Sequence, residues 1–305
     1  MNSMNRIYSI NKFLKNTFGE KVIKLSLDGN FTCPNRDGSK GFGGCTFCSE
    51  KGSGDMASDI PSQIELLSKK WPKAKKFIAY FQNYSGTYKD VNELRKLYYN
   101  ALAAPNIVGI AIATRPDCIN AEILELLDEI NQKYFLWVEF GLQTIRDNIA
   151  EEINRCYPLS VYDDAIAKLN SRNIKYVTHL ILGLPGETRM DMVNSLKYIC
   201  APARNLFGIK LHMLNITRGS KLAITHPTYC EFSSIDDYVS FVCDLIEIIP
   251  SNITIHRLNG DVPRKLLLAP EWSYMKRTIL NGITKELAHR NTYQGKYYEN
   301  SKKED

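Results

Sequence analysis

Short apolar runs alternate with amphipathic segments along most of this 305-residue chain, and this alternation limits the choice of fold more than any other property. The runs are apolar at nearly every position, as expected of strands covered on both faces. Strand–helix alternation predicts parallel βαβ units. Six units fit a curved, partly open barrel or a doubly wound sheet, and the last 50 or so residues resemble an appended segment. The predicted strands, the last of which follows the six units, cover residues 22–27, 76–81, 107–113, 135–142, 176–182, 207–214 and 253–258.

Five segments between or after these strands predict helices, because their apolar residues recur at helical spacing. Asn120 directly precedes the second of these helices, and Ser160 is the first residue of the third. Both fit as N-caps, and Thr188 fits as the N-cap of the fourth helix. The predicted helices cover residues 91–102, 121–134, 160–173, 187–199 and 234–249.

The domain organisation predicted from this pattern is one barrel with two extensions. Residues 1–20 form an N-terminal extension, residues 21–220 the core barrel, and residues 221–305 a C-terminal extension that faces the substrate. No apolar run approaches the ~18 residues of a membrane span, and the start of the chain lacks the pattern of a signal peptide. Five cysteines are scattered singly, as in proteins of a reducing compartment. We therefore expect a cytoplasmic protein without a membrane partner.

A loop after the first strand contains three cysteines, Cys33, Cys45 and Cys48, with five glycine or proline residues between the first two. In α/β folds the chemistry lies at the carboxyl ends of the strands, so this loop is expected at the mouth of the barrel. Thiolates select zinc, copper(I) or iron–sulfur clusters. Three of them can hold three corners of a 4Fe–4S cube, whereas zinc would need a fourth ligand such as Cys118. A loop without metal is the third interpretation.

The loop resembles the signature of radical S-adenosylmethionine (radical SAM) enzymes, although eleven residues separate its first two cysteines instead of the usual three. The Elongator catalytic subunit has a similarly expanded gap. Within this superfamily, the chain resembles a bacterial family of stand-alone Elongator-like proteins, which implies a partial (β/α)6 TIM-like barrel. The matching segments are SLDGNFTCPNRDGSKGFGGCTFC (26–48), IATRPDC (112–118), EFGLQT (139–144), HLILGLPGET (179–188), RLNGDVPRKLLLAPEW (257–272) and TYQGKYY (292–298).

The resemblance assigns two cofactors, a 4Fe–4S cluster on the three cysteines and S-adenosylmethionine (SAM) on its open iron. An electron delivered to the cluster would cleave SAM to methionine and a 5′-deoxyadenosyl radical, which abstracts a substrate hydrogen. The residues it implies around SAM are Phe47 on the adenine, Tyr84 and Thr87 in place of the motif for the amino group, Arg115 and Arg155 at the carboxylate or a substrate phosphate, Glu139 and Gln143 on the ribose, and Gly183 and Gly186 where backbone approaches the adenine.

Several of these assignments have structural alternatives. Phe47 could pack in the core, and the two glycines could simply shape a turn before the next helix. NRCY (154–157) departs from the related Asn-Arg-Gly-His, and the segment with Tyr84 lacks the family's glycines and acid. His179 and His212 lie inside predicted strands and are expected to be core histidines with satisfied hydrogen bonds.

The resemblance also implies a substrate, the wobble uridine of tRNA, whose C5 side chain would change from carboxymethylaminomethyl to aminomethyl. A flavodoxin- or ferredoxin-type protein would supply the electron. Two alternatives remain at this point: a radical SAM enzyme for a small molecule such as a porphyrin, and a zinc-binding RNA module without catalysis.

Basic residues cluster towards both ends of a chain whose net charge is +6, which suits a polyanionic partner. The run KKWPKAKK (69–76) is expected at the rim opposite the site, because it directly precedes the second strand. We expect the RNA phosphates instead at Lys265, Lys276 and Arg277, in the segment that follows the barrel.

Overall fold

In the computed structural model, which describes residues 6–48, 58–260 and 262–301, seven parallel strands form one curled sheet. The outermost parts of the two predicted extensions, residues 1–5 and 302–305, lie outside the described residues. A two-stranded antiparallel ribbon, β7 with β9, stands apart from this sheet. The strands are β1 (Val22–Leu27), β2 (Lys76–Phe81), β3 (Ile107–Thr114), β4 (Phe135–Gln143), β5 (Lys175–Leu182), β6 (Gly208–Met213), β7 (Ile216–Thr217), β8 (Thr254–Arg257) and β9 (Leu267–Ala269).

The large sheet contains one strand more than the six predicted for the barrel. Its order is β1-β2-β3-β4-β5-β6-β8, and β8 comes from the segment expected to be an appendage. The two edges curl towards each other: burial lowers the pKa of Lys24 on β1, and the charge of Arg257 on β8 lowers it further. The fold is therefore a curled α/β half-barrel whose last strand is supplied by the C-terminal segment.

Helices cover the outside of the sheet, and none in the described ranges is long and apolar enough to cross a membrane. Asn120 and Thr188 are N-caps as predicted, since their side chains accept hydrogen bonds from backbone N–H groups three residues on. Ser160 is not, because the helix already begins at Leu159 after Pro158. The helices are α1 (Ile10–Phe18), α2 (Ile60–Ser68), α3 (Val91–Leu102), α4 (Ala121–Asn131), α5 (Asp147–Glu152), α6 (Leu159–Asn170), α7 (Arg189–Ile199), α8 (Leu222–Thr225), α9 (Ile235–Ile248), α10 (Lys276–His289) and α11 (Lys296–Ser301).

The alternation of side chains along each strand separates a dry outer face from a partly polar inner face. On β4, Leu136, Val138 and Phe140 belong to the main core under the helices. Glu139 and Gln143 have the opposite parity and point into the half-barrel, where both line a cavity. The inner face therefore carries the chemistry, and the outer face carries the packing.

Helix α1 closes the amino end of the half-barrel. Ile10 and Leu14 pack in a second apolar cluster with inward-facing strand residues such as Trp137. The approach to α1 is fixed by the far end of the chain, because Arg6 donates to the carbonyl of Thr292 at 2.6 Å. The Tyr8 N–H also donates to the side chain of Gln294. We call these two contacts between the ends of the chain the clasp. With this end filled by apolar side chains, the cavity lies towards the carboxyl ends of the strands.

Candidate active site

A cavity of about 440 Å³ occupies the half-barrel towards the carboxyl ends of its strands. Its volume falls in the range of small-molecule sites. All of the large sheet's strands or the loops that follow them contribute to its wall, as does the segment 262–266. The loops that follow the strands therefore meet around one cavity, and the three-cysteine loop is among them, as predicted.

The three predicted cysteine ligands all line this cavity. Hydrogen bonds within the loop shape it: Arg36 N–H donates to the Cys33 carbonyl at 2.8 Å, and Cys48 N–H donates to the Cys45 carbonyl at 3.0 Å. Gly44 has a φ of 76°, a conformation that glycine adopts without strain. These turns bring thiols that are distant in sequence to one wall.

Two arginines act on the thiols of this wall. The Cys45 thiol donates to Cys48, which lowers the pKa of Cys48 and raises that of Cys45 well above its ordinary value. The charge of Arg36 lowers the pKa of Cys48 further, and that of Arg115 acts in the same direction on Cys45. Cations beside thiols stabilise the deprotonated form that binds metal.

These features fit a 4Fe–4S cluster better than a zinc ion completed by Cys118. Cys118 is buried and borders a different pocket, on the side of Thr87. Burial also raises the pKa of its thiol to about 12. In residues 6–48, 58–260 and 262–301, no three histidine, cysteine or acidic side chains are close enough together to surround a single ion. The residues present would hold a cluster at three corners and leave the fourth towards the cavity.

Phe47 and Tyr84 both line the cavity beside the thiols. Phe47 also packs against a small apolar cluster that contains Leu214, which agrees with its alternative packing role, and its contact with the adenine of SAM stays a prediction. The guanidinium of Arg36 lies 5.3 Å from the centre of the Tyr84 ring. Thr87, in contrast, is absent from the cavity wall: its hydroxyl is 2.6 Å from that of Thr114 and 2.9 Å from the carbonyl oxygen of Cys118.

Glu139 forms the floor of the cavity and is fully buried. Its carboxylate accepts hydrogen bonds from Tyr80 at 2.7 Å and Trp137 at 2.9 Å, and it pairs with Lys210. Burial alone would raise its pKa, but chiefly the Lys210 charge holds the pKa well below the ordinary value. Glu139 was predicted to bind the ribose of SAM, but both of its carboxylate oxygens already have protein partners.

Gln143 lies above Glu139 on the same face, as strand alternation predicted. It follows a register shift in β4 and has a φ of 65°. Its side-chain oxygen is buried and has no hydrogen-bond partner in the structure. Since a buried polar atom without a partner is costly, Gln143 is set to accept a hydrogen bond from a ligand.

The two predicted arginines both line the cavity but differ in their partners. Arg115 pairs with Asp117 through two hydrogen bonds of 2.9 and 2.8 Å. Arg155 is buried and donates to the carbonyls of Leu142 at 2.8 Å and Thr144 at 2.6 Å. Its remaining nitrogens donate to the Tyr157 carbonyl and Asp147. Arg155 therefore holds the end of β4, and its donors are used within the protein.

Gly183 and Gly186 have positive φ values of 84° and 80° but do not line the cavity. A Cβ at Gly183 would lie 2.8 Å from that of Glu231, and one at Gly186 would lie 3.1 Å from Ile149. These glycines therefore allow other protein residues, Glu231 and Ile149, to approach the backbone closely. This agrees with the alternative in which they shape a turn before the next helix.

The sequence analysis did not predict the buried polar network around Glu139 at the floor of the cavity. Lys210 of β6 donates to Tyr80 at 2.7 Å and pairs with Glu139, and burial lowers its pKa to about 7. His179 bonds to Glu139 at 3.0 Å, as expected of a satisfied histidine. His212 differs, because its Nε2 is buried without a partner and it lines the cavity. The available signal was a lysine and two histidines at inward positions of otherwise apolar strands.

Two of the three basic residues predicted to contact RNA, Lys265 and Lys276, are close to residues of the cavity wall. Lys265 is exposed in the segment whose residues Val262 and Leu266 line the cavity. Lys276 is the first residue of α10. Its pKa is lowered by burial and, to a smaller extent, by the charge of Arg257, which lies in the cavity wall. Arg277 follows and is exposed. Residues 69–76 connect α2 to the start of β2, at the opposite end of the strands as expected.

Comparison with known proteins agrees with this geometry. Residues 33–199 match the family model of the radical SAM superfamily, and residues 207–289 match the radical SAM C-terminal domain. YtqA of Bacillus subtilis is 41% identical over 99% of this chain and 96% of its own length. The tRNA uridine(34) acetyltransferase of Dehalococcoides mccartyi is 26% identical over 63% of this chain and 40% of its own.

Among solved structures, the archaeal Methanocaldococcus infernus Elp3 superimposes with a TM-score of 0.67 at 14% identity. The match covers 90% of this chain and 64% of that one, and at this identity it shows a shared fold. The family match extends over more than half of the chain and begins at the first cysteine of the loop. The chain therefore belongs to the radical SAM superfamily, whose enzymes use a 4Fe–4S cluster and S-adenosylmethionine.

Proposed function

We propose that this radical SAM enzyme modifies tRNA at the wobble uridine, converting a carboxymethylaminomethyl group at C5 to aminomethyl. The observation that carries the proposal is a thiol-walled cavity whose mouth is bordered by the basic segment containing Lys265, Lys276 and Arg277. The similarity to a tRNA uridine(34) acetyltransferase and to the Elp3 fold supports the choice of substrate.

Cys33, Cys45 and Cys48 would hold the cluster, and Phe47, Tyr84, Arg115 and Gln143, which line the same cavity, would bind SAM beside it. When bound, these cofactors supply the radical that removes a hydrogen atom from the substrate. The protein orients the reacting groups and excludes water. Arg155 keeps the end of β4 in place next to Gln143, so its part is positional. A flavodoxin- or ferredoxin-type donor would reduce the cluster, in the cytoplasm.

The test is nucleoside mass spectrometry of tRNA from a strain that lacks the gene. We expect carboxymethylaminomethyl-uridine to accumulate and aminomethyl-uridine to disappear. An unchanged nucleoside profile would contradict the tRNA substrate and favour a small-molecule radical SAM enzyme.

Complementation links the profile to the cysteine loop. Cys45→Ala should fail to restore aminomethyl-uridine, and the purified variant should lose the iron and the visible absorbance of the cluster. Cys200→Ala is the matched control, because Cys200 is buried in the main core under the helices and should be dispensable for both. Full iron content in Cys45→Ala would contradict the ligand assignment.

A further inference from the structure

Asn35 follows the first cysteine of the loop by two residues and is fully buried. Its side-chain NH2 group donates to the backbone carbonyl of Asn154 and to the Sγ of Cys45, which lies 3.6 Å away. The backbone carbonyl of Asn35 accepts from the N–H of Gly44 at 2.8 Å, which fixes the residue within the loop. A side-chain amide is therefore held against the sulfur of a proposed cluster ligand.

The neighbours of this amide determine its orientation. A backbone carbonyl and a metal-binding thiolate both accept hydrogen bonds and donate none. If the amide were turned over, its oxygen would face the carbonyl of Asn154 and the sulfur of Cys45, with no donor between them. The NH2 group of Asn35 must therefore point towards Cys45, and its amide oxygen must point elsewhere.

Cys156 supplies the donor for the amide oxygen. Its Sγ lies 3.0 Å from the Oδ1 of Asn35, nearer than two oxygens of Asn154, which lie at 3.2 and 3.7 Å. A thiol has one proton to donate, so the amide oxygen is the nearest of its three acceptors. The three side chains thus form a series in which Cys156 donates to Asn35 and Asn35 donates to Cys45.

The backbone at Cys156 is strained, because its φ of 62° lies in the left-handed region. Glycine adopts this conformation without strain, whereas it is uncommon for cysteine. Strained residues are concentrated at functional sites, where the surrounding structure holds them. The packing here is also close: a Cβ at Gly41 would lie 2.3 Å from the Oδ1 of Asn35 and 2.9 Å from the Sγ of Cys156. The loop is therefore built closely around the contact between thiol and amide.

Hydrogen bonds to the sulfurs of an iron–sulfur cluster are among the features that set its reduction potential. A cluster gains negative charge when it is reduced, and an N–H directed at one of its thiolates stabilises the added charge. Such a donor therefore raises the reduction potential and makes it easier for an external electron donor to reduce the cluster.

We propose that Asn35 is a positioning residue that donates a hydrogen bond to the Cys45 thiolate and raises the reduction potential of the cluster, and that the thiol of Cys156 fixes the orientation of its amide. This role follows from membership of the radical SAM superfamily and does not depend on the tRNA substrate. The alternative is that Asn35 only ties Asn154 to the loop. In that case its loss would reduce stability or cluster content, but the potential of the clusters that assemble would not change.

The test is an anaerobic redox titration of the reconstituted holoenzyme with mediator dyes, in which electron paramagnetic resonance measures the reduced cluster. Asn35→Leu replaces the amide with an apolar group of similar size. At a fixed applied potential, the ratio of reduced to oxidised cluster should fall about threefold or more, because part of the strength of a charge-assisted hydrogen bond differs between the two cluster states. Asn170→Leu is the matched control, because its amide donates to the backbone carbonyl of Arg204 at 2.9 Å, and it should keep the wild-type potential.

Two variants of Cys156 test the orientation of the amide. Cys156→Ser keeps a donor beside the amide oxygen and should titrate like the wild type. Cys156→Ala removes the donor and should lower the same ratio, by less than Asn35→Leu does, while both variants keep the wild-type iron content.

A wild-type potential in Asn35→Leu, with its cluster assembled, would overturn the role of Asn35. Equal potentials in Cys156→Ser and Cys156→Ala would overturn the orienting role of the thiol. If Asn35→Leu assembles no cluster, Cys156→Ala decides the whole proposal, and either a wild-type potential or a loss of the cluster in that variant would overturn it.

Discussion

At the scale of single residues, the cavity floor depends on the carboxylate of Glu139, which is fully buried against Lys210. Glu139→Gln would leave the lysine charge buried without its partner. We expect the free energy of unfolding to fall by about 3–5 kcal/mol, the usual cost of breaking a buried ion pair from one side. Urea denaturation of the purified apoprotein measures it.

The partner substitution provides the control for this pair. Lys210→Met alone should also destabilise, but the double variant should lose less than the sum of the two, because no unpaired charge remains inside. Lys69→Met removes the ion pair with Glu65 on the surface and should change little, because water screens that pair. Strictly additive losses in the Glu139/Lys210 cycle would show that the two side chains do not stabilise each other.

Glu187 gives a pH dependence whose sign can be worked out. Burial raises the pKa of its carboxyl to about 7 from 4.5, so the folded state binds the extra proton between these values. The stability that this proton provides is present below about pH 4.5 and is lost as the pH rises through 7. Glu187→Gln mimics the protonated acid and should be up to about 3 kcal/mol more stable than wild type at pH 8, yet nearly equal to it at pH 4.5.

Denaturation at several pH values measures this difference, with Glu125→Gln on an exposed position of α4 as the control. Glu187 accepts from the Thr144 hydroxyl through one oxygen, and its other oxygen is buried without a partner, which is consistent with a protonated acid. A Glu187→Gln variant that gains no stability at pH 8 would contradict the raised pKa.

At the scale of elements, α1 is the part that closes the half-barrel. Leu14→Ala would open a gap beneath the inward-facing strand residues, because the side chain is only 1% exposed. We expect a loss of about 2–5 kcal/mol, as for other buried leucines. Thermal or urea unfolding measures it.

Lys15→Ala, on the exposed face of the same helix, is the control and should leave stability nearly unchanged. Iron content separates two effects of the Leu14 change. If α1 acts only as a seal at the amino end, Leu14→Ala should retain the cluster at temperatures where it remains folded. Equal stability of the two variants would show that α1 is not part of the cooperative core.

Sequence patterns predicted the elements well where the signal was local. The strands and the caps at Asn120 and Thr188 follow from periodicity and side-chain chemistry that a short window contains. The cap at Ser160 was wrong because the helix begins one residue earlier, at Leu159, with Pro158 in the N-cap position. That the strand at 254–257 would join the sheet depends on contacts between segments far apart in the chain, which no short window contains.

At the scale of the whole molecule, the distribution of basic residues predicts which face binds RNA. If Lys276 and Arg277 contact phosphates, Lys276→Ala/Arg277→Ala should reduce the salt slope of tRNA binding by about one unit for each contact. Lys73→Ala/Lys75→Ala, at the opposite end of the strands, is the matched control. Titration at several salt concentrations compares the two, and a larger loss in the second pair would place the RNA on the other face.

The candidate site was predictable in outline because radical SAM motifs follow the strands that form its wall. The three cysteines, Phe47 and Gln143 all line the cavity as expected of the motif positions. Their ligand contacts, the domain boundaries and the cytoplasmic location stay predictions. His212 could not be recognised, since whether an inward histidine has a partner depends on which side chains the curl of the sheet brings opposite it.

The clasp between the two ends of the chain has a consequence for biosynthesis. Arg6 and Thr292 are 286 positions apart, so this contact cannot form until nearly all of the chain has been made. At ribosomal rates, that delay is roughly 15–60 s. Cys33, Cys45 and Cys48 emerge early in this interval, long before β8 and the clasp complete the half-barrel. The oxidation state of these thiols in the nascent chain is therefore set by the surrounding solution, because the folded half-barrel does not yet enclose them.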